Sequence, residues 1–261
     1  MIKVEKDFAN IPTILTQSLR EEAFNKNVSS NSYCDDKNRY KVGSVQKRLN
    51  AIYHLKCAYC EQKLLDAPKH IEHYRPKDIY YWLAYSWDNL LLCCGSCNSS
   101  KGTNFAIENN QVVYNNEPFE NIHTLGSSYD KIEKPKMINP EKEDVLGLIL
   151  FDKYGKIDSE DTRVRYTIEE ACNLNRKELV ELRLEIVTDF INRVNNHYLY
   201  FVKYKDISRF KPDIENFINN CSIEKEFYAF RYFVVNNIEI FFENNKPLQH
   251  IVKGLFEKYD N

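Results

Sequence analysis

Two cysteine pairs, Cys57-Ala58-Tyr59-Cys60 and Cys94-Gly95-Ser96-Cys97, bracket the segment His70-Ile71-Glu72-His73. A two-residue gap lets a tight turn aim two sulfurs at one ion, and two such turns complete the tetrahedral thiolate cage that structural zinc prefers. The rival chemistry, a redox Cys-x-x-Cys, needs only one pair and a thioredoxin-like βαβ setting that this stretch lacks. Cys93, beside Cys94, leaves the register ambiguous, although only Cys94 keeps the two-residue gap to Cys97. Four protein ligands close the coordination sphere. Cys57, Cys60, Cys94 and Cys97 are therefore expected to hold a structural Zn²⁺ and to do no chemistry themselves.

The polar cluster between the pairs offers a second kind of site. On an extended strand His70 and Glu72 face one side while Ile71 and His73 face the other. Glu72 can give a carboxylate to a hard cation, and the His73 imidazole, which ordinarily titrates near working pH, can take a proton from water. Taken alone such a pair is more often an ion pair or a surface histidine. Its place between two metal knuckles, where a small unit has little core to bury, favours chemistry. Asn98 and Lys101 follow the second pair directly.

These residues need elements to position them. Residues 1–43 read as an N-terminal arm with one helix around Ile14 to Phe24. Ser44 can cap a helix that carries Val45, Leu49, Ile52 and Leu55 on one face and delivers the chain to Cys57. From Leu64 to Leu92 the short apolar runs Ile79-Tyr80-Tyr81-Trp82-Leu83 and Leu90-Leu91-Leu92, with Pro68 and Pro76 nearby, suit a β-hairpin with a loop. A short helix starts at Asn98-Ser99-Ser100-Lys101. The zinc-bearing unit is thus expected over 44–110.

Residues 111–140, rich in Asn, Pro, Gly and Lys, read as a connector. The region 141–261 is expected to be mainly helical. It starts with a hairpin from Val145 to Phe151, turning through Lys153-Tyr154-Gly155-Lys156 into Ile157. Thr167-Ile168-Glu169-Glu170 has capping-box spacing. Leu179, Leu182, Ile186 and Phe190 recur at helical intervals, with Val187, Ile191 and Val194 beside them. The aromatics crowding Tyr198 to Tyr204 and Phe227 to Phe242 read as core or as a partner-docking surface. The fold class is α+β, a small zinc unit joined to a largely α-helical C-terminal half.

At 261 residues with 43% hydrophobic content the chain can bury a substantial core. No apolar run approaches the roughly 18 residues of a membrane span, and the N-terminus lacks the apolar core of a secretory signal. A cytoplasmic setting without membrane contact is expected, and it suits cysteines used as thiolate ligands rather than disulfides. Cys34, Cys172 and Cys221 read as small buried hydrophobes. The formal net charge of −2 hides an asymmetry, because Asn38 to Asn104 holds ten basic and five acidic residues. A local excess of this kind attracts phosphates, although a solvated face would look the same.

Cys57-x-x-Cys60, Glu72-His73, Asn89-Leu90 and Cys94-x-x-Cys97-Asn98-x-x-Lys101 together resemble the signature of the HNH endonuclease superfamily, built on a zinc-stabilised ββα-metal fold. A narrower resemblance rests on Cys57 to Glu61, His70-Ile71-Glu72-His73-Tyr74-Arg75-Pro76-Lys77 and Trp87-Asp88-Asn89-Leu90. It extends through Asn139-Pro140, Gly155-Lys156-Ile157 and Leu174-Asn175-Arg176 to Arg183. Those stretches are similar to the nuclease subunit of Septu anti-phage systems, also found with some retrons.

The resemblance implies His73 as general base, with Glu72 and Asn98 holding one Mg²⁺ or Mn²⁺. Asn89 would pin the loop that carries His73, and Lys101 and Arg75 would contact phosphate, a solvated role being equally open to Arg75. His70 would be an auxiliary ligand or would orient Glu72. The implied partners are a DNA substrate, an ABC/SMC-like ATPase subunit and further copies of the chain. The commoner pattern has Asp where this chain has Glu72, and His where it has Asn98, which loosens the inference to metal identity. The readings that compete are a zinc-stapled adaptor without turnover and an HNH nuclease acting on RNA.

Overall fold

The computed structural model describes residues 1–259; the expected C-terminal region runs two residues beyond them. The chain divides into two compact units, one of Met1–Gly147 with Glu160–Asn173, the other of Leu148–Ser159 with Leu174–Asn261.

The first unit contains α1 (Ser18–Ser30), α2 (Gly43–Ile52), β1 (Lys69–His73), β2 (Leu90–Cys94), α3 (Gly95–Lys101) and α4 (Gly126–Glu133). Strands β1 and β2 pair antiparallel in the register Lys69↔Cys94, Ile71↔Leu92 and His73↔Leu90. The run Leu90-Leu91-Leu92-Cys93-Cys94 is buried throughout, so β2 is covered on both faces. Helix α3 follows without a loop. Its N-terminus is capped by Cys94, whose sulfur accepts the Cys97 N–H at 3.4 Å, and it stops at Gly102 with φ 44°. Hairpin and helix form the ββα arrangement expected around the zinc cage.

Several expectations change in this unit, the first being that Ser44 lies inside α2, whose N-cap is Val42, rather than capping it. Tyr81–Leu83, read as part of a strand-like apolar run, is a 3-10 turn inside the long β1–β2 connection. The Tyr80 and Ile79 amides bond back to the Pro76 carbonyl, and Trp82 packs edge-on against Tyr81 and near Tyr80, so aromatic clustering replaces strand pairing here. The capping box at Thr167 is also unused. Asp161 caps α5 (Thr162–Tyr166) by accepting the Arg163 and Val164 N–H groups, and Thr167 lies in the π-turn Thr167–Ala171 that continues the helix.

The arm and the connector are both parts of the first unit. Met1, Ile2, Val4 and Leu15 are buried from the arm, as are Phe119, Ile122, Met137 and Ile138 from 111–140. Lys6 is the polar anchor. Its ammonium donates to the Trp87 and Leu90 carbonyls at 2.6 and 2.7 Å and to Glu141 at 2.9 Å, and it lies 3.9 Å from the Trp87 ring centre. Burial pulls the Lys6 amine below its ordinary value, and Glu141 works against that. Tyr53 also donates to Glu141, at 2.7 Å.

The second unit holds β3 (Leu150–Phe151) and β4 (Ile157–Asp158), then α6 (Lys177–Tyr204), α7 (Lys211–Asn219), α8 (Tyr228–Asn236), α9 (Ile238–Phe241) and α10 (Lys246–Tyr259). The first arm of the expected hairpin is shorter than its sequence suggests, because Leu146–Leu148 forms a 3-10 turn. Gly155 turns the hairpin at φ 82°, and a Cβ there would stand 2.7 Å from the Val180 carbonyl, so the position needs glycine on both counts. Along α6 the buried stripe is Leu179, Arg183, Val187, Phe190 and Val194. Leu182 and Ile186 are half-buried beside it.

Candidate active site

The cysteine cage comes from two turns anchored to the hairpin. In the first, the Cys57 N–H bonds to the Gln62 carbonyl and the Glu61 N–H to the Cys57 carbonyl, while the Ala58 N–H reaches the Leu92 carbonyl of β2 at 2.9 Å. In the second, the end of β2 runs into α3. The ligand sulfurs of Cys57, Cys60, Cys94 and Cys97 all lie within 4.8 Å of one another, and all four residues are buried. The group contains Cys94 rather than Cys93. Cys93 is a fully buried thiol at the edge of the cage, its sulfur 3.6 Å from that of Cys57 but outside the four-sulfur group.

The donor set fits zinc. A tetrahedron with Zn–S bonds of about 2.3 Å puts its sulfurs about 3.8 Å apart, and those of Cys60 and Cys94 stand 3.8 Å apart. Burial, helped by neighbouring sulfurs, pushes the Cys57 and Cys93 thiols up, whereas neighbouring sulfurs pull Cys94 down. Four packed, buried sulfurs favour their thiolate form only with a dication among them.

Beside the cage, the face of β1 that carries His70 and Glu72 meets α3. A Cβ at Gly95 would lie 3.4 Å from His70 Nε2, and Glu72 Oε1 stands 3.0 Å from Lys101 Nζ. Glu72 is 7% exposed and Lys101 fully buried. Burial pushes the Glu72 carboxyl up, and Lys101 opposes it. Lys101 therefore differs from the expected phosphate contact, since its ammonium is turned inward to a carboxylate. Asn98 sits one turn before Lys101 and is half-buried, so the two share a helix face. Among the described residues no second group of three His, Cys, Asp or Glu side chains converges as the cysteines do. An ion at Glu72 would complete its shell from Asn98, water and substrate, a hard-oxygen set that suits Mg²⁺ or Mn²⁺.

His73 occupies the opposite face of β1. Its Nε2 lies 2.9 Å from the Ala84 carbonyl, and a carbonyl only accepts, so Nε2 carries the hydrogen and Nδ1 the lone pair. The Tyr40 ring stands edge-on at 4.4 Å between centres, and His73 is 4% exposed. Burial pulls its pKa down to about 3, so the imidazole is neutral in this arrangement rather than titrating near working pH.

Asn89 clamps the chain after β1. Its Oδ1 accepts the Arg75 N–H at 2.7 Å, and its Nδ2 donates to the Arg75 and Leu83 carbonyls at 3.0 and 3.3 Å. Arg75, expected at a phosphate or in solvent, is instead 1% exposed with its side chain turned inward. Its guanidinium donates to Glu133 at 2.9 Å and to Asp130 at 2.8 Å, among the rings of Tyr74, Tyr80, Phe105 and Tyr129. Burial disfavours the charge, but Asp130 and Glu133 outweigh it and raise the Arg75 pKa. Sequence reasoning also missed Tyr40, Ala84, Asp130 and Glu133. The last two lie more than fifty residues from Arg75, with no local pattern linking them.

Residues 57–104 match the family model described as HNH endonuclease. The chain is 28% identical over 203 residues to Septu protein PtuB of Bacillus mycoides (strain KBAB4), across 69% of its own length and 65% of that protein's. It thus spans just under two-thirds of that relative. Over 50 residues it is 48% identical to Septu protein PtuB of Bacillus thuringiensis, covering 18% of this chain and 20% of that one. A weaker likeness, 23% over 163 residues, is to Septu protein PtuA of the same Bacillus mycoides strain, covering 57% of this chain and 21% of that protein. Signature residues, a four-cysteine cage and a ββα scaffold coincide in one stretch, and that stretch, residues 57–104, carries the match to the HNH endonuclease model in a chain similar to Septu PtuB.

Proposed function

We propose that this chain is a metal-dependent endonuclease that cleaves phosphodiester bonds of DNA, the nuclease subunit of an anti-phage system working with an ABC/SMC-like ATPase partner. One observation carries the reading. Glu72 on β1 meets the α3 face that bears Asn98 and Lys101, all within the stretch that matches the HNH family. The likeness to two Septu proteins supports the defence setting and a partner subunit. The basic excess around the site supports a polyanionic substrate. DNA rather than RNA rests on the resemblance.

In the reaction a water oxygen bonds to phosphorus, the bond to the 3′ oxygen breaks, and the water's proton passes to a base. His73 is that base, with Ala84 fixing the tautomer that leaves Nδ1 free to accept. Tyr40 must yield for water to reach it. Asn89 holds the backbone just beyond His73 and so fixes where the ring sits. A divalent ion held by Glu72 and Asn98 would supply charge stabilisation at the phosphate and the leaving oxygen.

The test is cleavage of supercoiled plasmid with Mg²⁺ or Mn²⁺, with and without the partner. Wild type should nick or linearise it. Glu72→Gln, His73→Ala and Asn98→Ala should each be slower by about a hundredfold or more while keeping their zinc. Equal rates for wild type and His73→Ala in every condition would remove His73 from the mechanism.

A further inference from the structure

The Lys101 ammonium is fully buried, at the last residue of α3, against a carboxylate that the metal reading needs for itself. An ammonium confined in this way has lost its hydration and needs a negative group beside it to offset that cost. Glu72, at 3.0 Å, is that group. Among the described residues Nζ has no other hydrogen-bond partner to hold it in place, so the 3.0 Å pairing with Glu72 is its anchor. Asn98, the other oxygen donor proposed for the ion, lies one turn back on the same helix face. A single positive charge thus stands beside Glu72, at the place where a doubly charged ion is expected.

We propose that Lys101 is an internal counter-ion for Glu72. It holds the carboxylate docked on α3 in the absence of a divalent metal, and metal binding must displace it. The inference rests on Glu72 being a ligand of the catalytic ion. Its physical content is competition. One carboxylate at 7% exposure cannot fully satisfy both an ammonium and a dication, and the two cations repel at close range in a poorly solvated site. Metal affinity in the wild type is therefore set partly by the work of turning Lys101 away. The arrangement favours metal capture when something else, such as a phosphate, can receive the displaced ammonium. Metal and polyanion should then bind cooperatively.

The experiment is Mn²⁺ binding to the zinc-loaded full chain, read as loss of the free-Mn²⁺ electron paramagnetic resonance signal, with no turnover involved. Lys101→Met keeps most of the side chain's length and its apolar packing while removing the charge. Lys101→Gln is a second variant in case the first misfolds, and circular dichroism with zinc content verifies both. The expected result is Mn²⁺ binding tighter by about tenfold or more in either folded variant. Inorganic phosphate or a short oligonucleotide should tighten Mn²⁺ binding to wild type but do so far less in the variants. Glu72→Gln should bind weakly in every setting. If folded Lys101 variants bind Mn²⁺ no more tightly than wild type while Glu72→Gln loses binding, the counter-ion role is overturned and Glu72 remains a ligand. If Glu72→Gln binds like wild type, the metal reading of Glu72 fails, and the inference fails with it.

Discussion

His73 and Arg75 stand two positions apart and show how burial decides the fate of a charged group. Arg75 is buried with two carboxylates and keeps its charge; His73 is buried with a neutral carbonyl and loses it. The His73 pKa of about 3 has a kinetic consequence. A general base must be neutral, and burial lowers the imidazole from its ordinary 6.5, so the neutral form persists as pH falls through that value. The pH profile of kcat/KM for plasmid cleavage should accordingly lack an acid inflection between pH 6 and 7, with any loss due to His73 deferred toward pH 3 to 4. Initial rates across a buffer series check this. An inflection near pH 6.5 would mean that the ring is solvated in the free enzyme, with Tyr40 already displaced.

Among the elements, the hairpin and α3 form a scaffold whose long connection needs its own fastening. Asn89 provides it, with three hydrogen bonds from a single buried side chain to the backbone of Arg75 and Leu83. Asn89→Ala leaves those amide and carbonyl groups without partners at a site closed to water, which should cost about 2–4 kcal/mol. Urea or guanidinium unfolding followed in the first unit measures the loss. Cleavage should fall as well, because the same bonds set the chain direction just beyond His73, while bound zinc stays near wild type since no cysteine is touched. A variant with unchanged stability would show that water replaces the lost bonds.

At the scale of the molecule, the cage is the part on which the rest of the site depends. The Cys57–Cys60 turn bonds to β2 through Ala58, and the second pair is itself the junction of β2 with α3. Metal analysis should find about one tightly held zinc per chain. Stripping it with a strong chelator should lower the thermal midpoint of the first unit and abolish cleavage. Added Mg²⁺ should not restore activity, whereas zinc followed by Mg²⁺ should. Cleavage unaffected by zinc loss would mean that hairpin and helix hold together through apolar packing alone. Among the described residues no helix is long and apolar enough to cross a membrane. The second unit contributes helices, including an α6 that leaves Leu199, Val202 and Tyr204 exposed near its end.

What the sequence determined by itself was the local chemistry. Cysteine spacing prescribes a cage because two turns of fixed size must place four sulfurs around one ion, and strand alternation prescribes that Glu72 and His73 part to opposite faces. The helix face of Asn98 and Lys101, the apolar strand Leu90-Leu91-Leu92 and the long amphipathic α6 are legible for the same reason, since each is written within a few residues, whereas the other arm of the hairpin is Lys69–His73 and not the Tyr81–Leu83 run. Only the tertiary structure decided which charged groups meet. It turned Lys101 onto Glu72, enclosed Arg75 with Asp130 and Glu133, closed Tyr40 over His73, and drew the arm of Lys6 and the 111–140 stretch into the first unit's core. Those outcomes depend on desolvation and on partners far apart in the chain, and neither quantity is written in the spacing of neighbouring residues.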